Sequence, residues 1–532
     1  MLGAMQDWDL RLTHLLDYAA KEHGSREIVS RWADGSEART HWAGVRRDAM
    51  KMVQALRRLG IGSGDRVATL AMNHGRHLVA WYGAVGANAV LHTINPRLFE
   101  DQLEYIANHA EDRILIYDAV FASLVERMKP RWTTIEHFVC FDSEDLGPSF
   151  EQWIGAEDGE ADWTPGGERD PAMLCYTSGT TGDPKGVLFE HRSTILHTLM
   201  TIAPSALVLE PRSVVLPVVP MFHANNWGFP WACAAVGAKM VYCAVNEPDA
   251  LCDLVRNEAV THMAGVPTVW LSMFQYLDAT GQDMPPIRHA LSGGSAVPRA
   301  VVERLMQGGI RLAQAWGMTE TSPIATVAFE DAGWDELTFD QQVTRKELQG
   351  RAPFGCEVRC VDLDDPAREL PRDGQTSGAL QVRGPWVVRR YFKAEKDAVG
   401  EGGWFDTGDV AVIHPDGTLQ LTDRTKDVIK SGGEWISSVE IENIAVGHPG
   451  LAEAAVIGVP HPKWDERPLL VAVRKPGAEV NGDELRAFLS GKVAKWWVPD
   501  AVEFVDEIPH TGTGKISKKD LRERFRDYVL NA

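Results

Sequence analysis

From Tyr176 to Val187 the chain reads Tyr-Thr-Ser-Gly-Thr-Thr-Gly-Asp-Pro-Lys-Gly-Val. Thr177, Ser178, Gly179, Thr180 and Thr181 carry either a hydroxyl or no side chain, a run that packs as neither helix nor strand. With Gly182 and Gly186 nearby, the backbone can come close to a bound group. Its amides and hydroxyls can then wrap phosphate oxygens, and Lys185 adds one positive charge. The residue order is not that of a Walker A loop. Flexible surface loops have the same composition, so the run alone leaves both readings open. Two other candidates are weaker by themselves. His223 stands alone in an apolar stretch, where a histidine is usually a hydrogen-bonded core residue. Lys515, in Thr-Gly-Thr-Gly-Lys-Ile, reads in isolation as an ordinary solvated lysine, as does nearby Lys518.

The elements that must position these residues follow from periodicity. Val45, Ala49, Met52, Leu56 and Leu59 mark one face of a helix that Gly60 ends, and Val67 to Met72 reads as a buried strand. Later the alternation is strand 239–245, helix 250–258, strand 261–265, helix 268–276, strand 288–291, helix 298–307 and strand 311–315. Such repetition predicts an α/β fold of parallel sheets covered by helices, with ligands at the carboxyl ends of strands. From about residue 350 the strands shorten. Val410 to Ile413 and Thr418 to Leu421 flank His-Pro-Asp-Gly, a hairpin signal. A smaller α+β pattern follows, which sets the expected domains at 1–422 and 423–532.

Composition narrows the function. Of 532 residues, 54 are Lys or Arg and 74 are Asp or Glu, a net charge of −20. That balance argues against nucleic acid and anionic membrane as partners. The seven cysteines show no C-x-x-C pair and read as reduced, cytoplasmic thiols. Met1 to Leu10 lacks the pattern of a signal peptide. The apolar stretch from Ser213 to Val245 is broken by Pro217, Pro220 and Pro230, so it reads as core that also lines a cavity, not as a membrane span.

The loop at Tyr176 resembles the phosphate-binding signature of the adenylate-forming superfamily: acyl-CoA synthetases, nonribosomal adenylation domains and beetle luciferases. Six further segments match in order: 220–227, 292–298, 314–321, 404–409, the pair 423–427 and 430–434, and 509–515. The resemblance implies a large N-terminal domain of parallel-rich sheets with helices and a β-barrel-like part, and a small mobile α+β C-terminal domain. It implies ATP, Mg²⁺ and CoA as partners of a carboxylic acid. Thr177 to Gly182 and Lys185 would hold phosphates, and Gly293, Gly294, Ser295, Ala315, Trp316, Gly317 and Met318 would line the nucleotide. Thr319 would bond the α-phosphate, and Glu320 is a hard oxygen ligand for Mg²⁺. Asp409 would accept from the ribose hydroxyls, with Arg424 donating to the same sugar. Lys515 would neutralise the charge that builds as a carboxylate attacks the α-phosphate. Lys426 would be the hinge, and Lys430, Ser431, Gly432, Gly433, Glu434 and Trp435 would line the path of CoA after the small domain rotates. His223 would gate the acyl pocket.

That pocket, by the same resemblance, is formed by His223, Trp227, Trp231, Gly294, Gly317 and Met318. Acetate-specialised relatives close it with a tryptophan where this chain has Gly317, so the cavity is expected to extend further. Amino-acid-activating relatives place an aspartate soon after the segment matching His223. Here Ala224, Asn225 and Asn226 follow, which disfavours an α-amino acid, because a buried unpaired ammonium is costly. Including the segments 92–97 and 495–500, the chain is most similar to bacterial medium-chain acyl-CoA synthetases, a subgroup containing 3-methylmercaptopropionate–CoA ligases. The expected substrate is that thioether acid, with a general short- or medium-chain fatty acid as the alternative. A luciferase-like oxygenase and a non-catalytic nucleotide binder are the alternatives of other classes. Base rates favour a homodimer.

Overall fold

The stripe at Val45, Ala49, Met52 and Leu56 is the buried face of the helix Trp42–Arg58. His41 caps its start, accepting from the Gly44 amide at 3.0 Å. Gly60 adopts φ +69° just beyond its end, the left-handed geometry that lets the chain turn away. The next helix, Gly75–Gly86, can pack closely against it because Gly83 has no Cβ. A methyl there would lie 2.5 Å from the Met52 sulfur.

The computed structural model describes residues 3–177, 183–431, 434–510, 516–528 and 530. Met1–Thr177, Asp183–Glu357 and Arg383–Phe405 pack as one compact unit. Val358–Val382 and Asp406–Ala532 pack as another.

The first unit holds two large sheets. One has eight strands in the order Ile324–Val327, Arg311–Gly317, His289–Gly293, His262–Gly265, Val214–Pro217, Lys239–Cys243, Glu27–Arg31 and Glu37–His41. All neighbours are parallel except the two edge pairs. The other has six strands, ordered His137–Cys140, Asp112–Tyr117, Arg66–Leu70, Val90–Thr93, Pro171–Tyr176 and Gly186–Glu190, with the last pair antiparallel. Each strand and helix expected from Lys239 to Ala315 is present, with ends displaced by a few residues. The helices Pro248–Asn257, Pro267–Thr280 and Arg299–Gln307 bury Leu251, Trp270 and Val302 in one core against Met263, Ala290 and Leu312 of the sheet. Strand side chains alternate between faces, so Leu291, Gly293, Ala313 and Ala315 are left for the opposite face.

In the second unit, the part expected to be barrel-like is a four-stranded sheet: Glu357–Val361, Gly378–Arg383, Phe405–Ile413 and Leu419–Arg424 in that order. Its hairpin turns at Gly417, where φ is +87°. The C-terminal residues build a five-stranded sheet from Ile429–Ser431, Glu434–Ile436, Leu451–His461, Asp465–Arg474 and Ala501–Phe504. Helices Ser438–Val446 and Gly482–Leu489 cover it, burying Ile441, Ala445, Leu485 and Leu489. By packing, the four-stranded sheet goes with the C-terminal residues, so the packing units do not divide at Asp423, where the boundary was expected.

Candidate active site

The described ends of the phosphate-loop candidate, Thr177 and Lys185, adjoin the antiparallel strands Pro171–Tyr176 and Gly186–Glu190. The Thr177 amide donates to the Lys185 carbonyl at 2.9 Å, and the Lys185 amide donates back to Thr177 Oγ1 at 3.4 Å. Ser178, Gly179, Thr180, Thr181 and Gly182 lie outside the described residues. Lys185 is exposed, with its ammonium 5.0 Å from the centre of the Tyr391 ring.

Tyr391 connects this loop to the next motif. Its hydroxyl donates to Glu320 Oε1 at 2.8 Å. Burial, and then the adjacent Glu320 carboxylate, push the phenol above its ordinary value, so it remains a donor. The same segment is pinned at several points. The Phe392 amide donates to Gly186 and the Val388 amide to Glu320, both carbonyls being 2.7 Å away. Ser322 Oγ donates to the Trp386 carbonyl at 2.7 Å, and Trp386 Nε1 to the Ile324 carbonyl at 3.2 Å. His197 Nε2 accepts from the Ile324 amide at 3.2 Å; burial lowers that imidazole to about 3 and keeps it neutral. Residues 386–392 have neither periodicity nor turn chemistry in the sequence to single them out.

Thr319 and Met318 are half-buried and Glu320 is buried. Glu320 offers a buried hard carboxylate of the kind that suits Mg²⁺. Ala315 and Trp316 are buried on the strand Arg311–Gly317. Gln314 Oε1 on the same strand and Ser292 Oγ on its neighbour are buried without a protein partner. Gly317 has a constraint that its sequence position did not reveal. A Cβ there would fall 1.8 Å from the Pro323 carbonyl oxygen, so the backbone itself demands glycine.

Gly293, Gly294 and Trp227 come together. A Cβ on Gly293 would meet the Ala315 carbonyl oxygen at 2.6 Å and the Trp227 ring at 3.5 Å. Gly294 has φ +82° and its Cβ would lie 4.0 Å from the same ring. Ser295 is exposed. The buried Trp227 follows an unusual backbone. Ala224, Asn225, Asn226 and Trp227 all have positive φ, between 42° and 56°. For residues other than glycine this geometry costs roughly 1–2 kcal/mol each. Asn73 braces the approach: its side-chain amide donates to the carbonyls of Pro217 and Val219, and its oxygen accepts from the Met221 amide at 2.7 Å. Such local strain is typical of functional sites. His223 precedes the turn, half-buried, with its amide donating to the Pro220 carbonyl at 3.0 Å. Trp231 is placed differently from the acyl wall expected for it. It is fully buried, 5.6 Å from Trp81 and 4.8 Å from Tyr82 between ring centres.

In the second unit, Asp409 and Arg424 face each other across the antiparallel strands, with Arg424 Nε 2.8 Å from Asp409 Oδ1. Asp409 is buried, its amide donating to Thr407 Oγ1 at 3.1 Å. Asp423, read as a hinge residue, is a buried carboxylate that accepts from Ser438 Oγ at 2.7 Å and from the Arg424 amide at 2.7 Å. Lys426 is exposed. Lys430 and Trp435 pair directly across antiparallel strands, the ammonium 5.3 Å from the ring centre. Ser431 is buried and accepts from Arg467 Nη1 at 3.2 Å, and Glu434 pairs with it across the strands. Gly432, Gly433 and Lys515 lie outside the described residues.

Residues 16–392 match the AMP-binding enzyme family, and residues 440–515 match the AMP-binding enzyme C-terminal domain. The chain is an AMP-binding enzyme. It is 46% identical to the 3-methylmercaptopropionyl-CoA ligase of Ruegeria pomeroyi, an alignment that covers 99% of this chain and 100% of that protein. It is 41% identical to the medium-chain-fatty-acid–CoA ligase of Ectopseudomonas oleovorans, over 100% and 99% of the two chains. Its fold is that of the anthranilate–CoA ligase AuaEII, solved with anthranoyl-AMP, at a TM-score of 0.85 and 24% identity over 98% of each chain. This AMP-binding enzyme is therefore an ATP-dependent acid–CoA ligase, with a carboxylic acid, ATP and CoA as its small-molecule substrates. Among its described residues, no helix is long and apolar enough to cross a membrane.

Proposed function

We propose that this AMP-binding enzyme prefers 3-methylmercaptopropionate, converting it with ATP and CoA to the CoA thioester, AMP and pyrophosphate. The observation that carries the proposal is the apolar Trp227 ring packed over the side-chain-free backbone at Gly293 and Gly294. A thioether sulfur packs well against an aromatic edge such as that of Trp227. The similarity to the Ruegeria pomeroyi ligase supports the same acid. The second reading is a general short- or medium-chain ligase, supported by the Ectopseudomonas oleovorans relative. Initial rates of thioester formation across a panel of acids separate the two. Poor turnover of 3-methylmercaptopropionate beside hexanoate or octanoate would reverse the order.

The residue roles follow from chemistry. The loop from Thr177 to Lys185 holds phosphates. Gln314 Oε1, a buried acceptor lacking a donor, suits the adenine amino group, next to Trp316. Asp409 and Arg424 hold the ribose. Mg²⁺ beside Glu320 supplies positive charge to the triphosphate oxygens when bound. The acid's carboxylate oxygen bonds to the α-phosphorus as the bond to pyrophosphate breaks, and Lys515 neutralises the charge that accumulates. The C-terminal residues from Asp423 onward then turn about Lys426, withdrawing Lys515 and bringing in the hairpin of Lys430, Ser431, Gly432, Gly433, Glu434 and Trp435. His223 gates the acyl pocket for the thiol, which displaces AMP. All seven cysteines are buried and unbridged, in keeping with a cytoplasmic enzyme, and the assembly we propose is a homodimer.

A further inference from the structure

We infer that Asn73 is a positioning residue that determines which acids fit: it sets the place of Trp227 over Gly293 and Gly294 by gripping the backbone that leads to the turn. This rests on the proposed acyl pocket and names the residue that fixes its shape. Asn73 comes from a different sheet. It is buried just past the strand Arg66–Leu70 of the six-stranded sheet, and the segment it holds follows the strand Val214–Pro217 of the eight-stranded sheet.

The need for such a residue comes from the ladder. Along an extended strand, successive peptide groups face alternate neighbours. Even-numbered groups here face the strand His262–Gly265: the Val218 amide donates to the Ala264 carbonyl at 2.8 Å. Odd-numbered groups face the strand Lys239–Cys243, whose Lys239 amide donates to the Ser213 carbonyl at 3.0 Å. That second ladder pairs Val214 and Val215 and ends there. Asn73 takes over the edge. Its Nδ2 donates to the carbonyls of Pro217 at 3.1 Å and Val219 at 2.9 Å, and its Oδ1 accepts from the Met221 amide at 2.7 Å. One side chain thus meets the odd-numbered peptide groups in succession, where buried backbone needs partners.

The grip reaches Trp227 through one oxygen. The Val219 carbonyl also accepts from Asn226 Nδ2. Asn226 is fully buried inside the turn of positive φ, immediately before Trp227. Asn73 itself is fixed from both sides. The Met72 amide donates to Asp118 Oδ2 at 2.7 Å, and His74 Nε2 lies 2.9 Å from Asp118 Oδ1. Without the Asn73 side chain, the Val219 carbonyl is free to shift, and the Trp227 ring loses its set height over the glycine backbone.

The test compares pentanoate with 4-methylpentanoate, which differ by one methyl group, in CoA ligation. The wild type is expected to favour the straight acid. In Asn73→Ala the ratio of their kcat/KM values should fall about tenfold, the discrimination that one methylene carries in an apolar pocket. KM for pentanoate should rise while KM for ATP is little changed. Asn226→Ala removes the other side-chain donor to the Val219 carbonyl and should move the ratio the same way, so the inference stays testable if Asn73→Ala does not fold. Trp42→Phe deletes a buried bond elsewhere in the same unit, from Nε1 to the Ala238 carbonyl at 2.9 Å. It should lower thermal stability and leave the ratio alone. An unchanged ratio in either asparagine variant, a wild type blind to the branch, or an equal shift in Trp42→Phe would overturn the inference. Failure of the pocket assignment reads differently: Trp227→Ala would then leave KM unchanged for every acid. Poor turnover of 3-methylmercaptopropionate by the wild type would overturn only the substrate preference, since neither test acid carries sulfur.

Discussion

Lys518→Met should destabilise the C-terminal residues, and should do so more strongly at high pH. The Lys518 ammonium is 2.8 Å from Glu442 Oε1 and donates to Ser438 Oγ at 2.6 Å. Ser438 Oγ in turn donates to the buried Asp423 carboxylate at 2.7 Å. The Lys518 and Glu442 side chains are 10% and 13% exposed. Removing the cation leaves two buried carboxylates uncompensated, which costs about 3–5 kcal/mol when both are charged. Burial raises Glu442 to about 7, against the pull of Lys518, and raises Asp423 as well. A carboxyl whose folded-state pKa lies above its unfolded value binds more protons when folded. Glu442 therefore lowers stability as pH rises from 4.5 to about 7, by about 3 kcal/mol at 1.36 kcal/mol per unit. Without Lys518 that window moves upward, so the cost of the variant grows from pH 5.5 to pH 8. Hydrogen exchange of the helices Ser438–Val446 and Lys518–Arg524 in the intact chain measures it locally. Glu442→Gln should flatten the pH dependence. Equal losses for Lys518→Met at pH 5.5 and pH 8, or a loss below about 1 kcal/mol, would refute the reasoning.

Asp409→Asn removes the charged partner of Arg424 and the proposed ribose acceptor. It should lower kcat/KM for ATP by about 10–100-fold, the range of one charge-assisted hydrogen bond, with KM for CoA little changed in steady-state kinetics. Tyr391→Phe deletes the donor to Glu320 and should reduce kcat/KM by about tenfold, with a raised requirement for Mg²⁺ in titrations of initial rate. Gly317→Trp should not produce an acetate enzyme. The Pro323 carbonyl occupies the place of its Cβ, so thermal unfolding should show a large loss of stability, and a stable variant that prefers acetate would contradict the geometry.

Helix and strand placement was readable wherever one period dominated a segment. The stripe from Val45 to Leu56 and the alternation from Lys239 to Ala315 are local properties, and the elements formed as expected. Asp409 and Arg424 lie on two strands joined by a strong turn signal, but their direct pairing also needs a one-residue register shift between Val410 and Ala411, which the turn does not announce. What failed to show depends on contacts between distant segments. Tyr391 reaches Glu320 because 386–392 is pinned to two other loops, and nothing in its own residues announces that. An aromatic side chain such as Trp231 reads equally well as pocket wall or core, and its partners Trp81 and Tyr82 decide for core. Lys518 reads as a solvated lysine in sequence; a glutamate 76 positions earlier, given by their numbers, makes it a buried ion pair. Gly317 invites a reading about pocket size, whereas its Cβ direction is closed by backbone.

The most direct test of the account is Lys515→Ala assayed in two halves. Acid-dependent pyrophosphate release should fall by several orders of magnitude, while conversion of supplied acyl-adenylate and CoA to thioester should persist near the wild-type rate. Equal loss of both half-reactions, or retention of both, would contradict the assignment of that ammonium to the adenylation step alone.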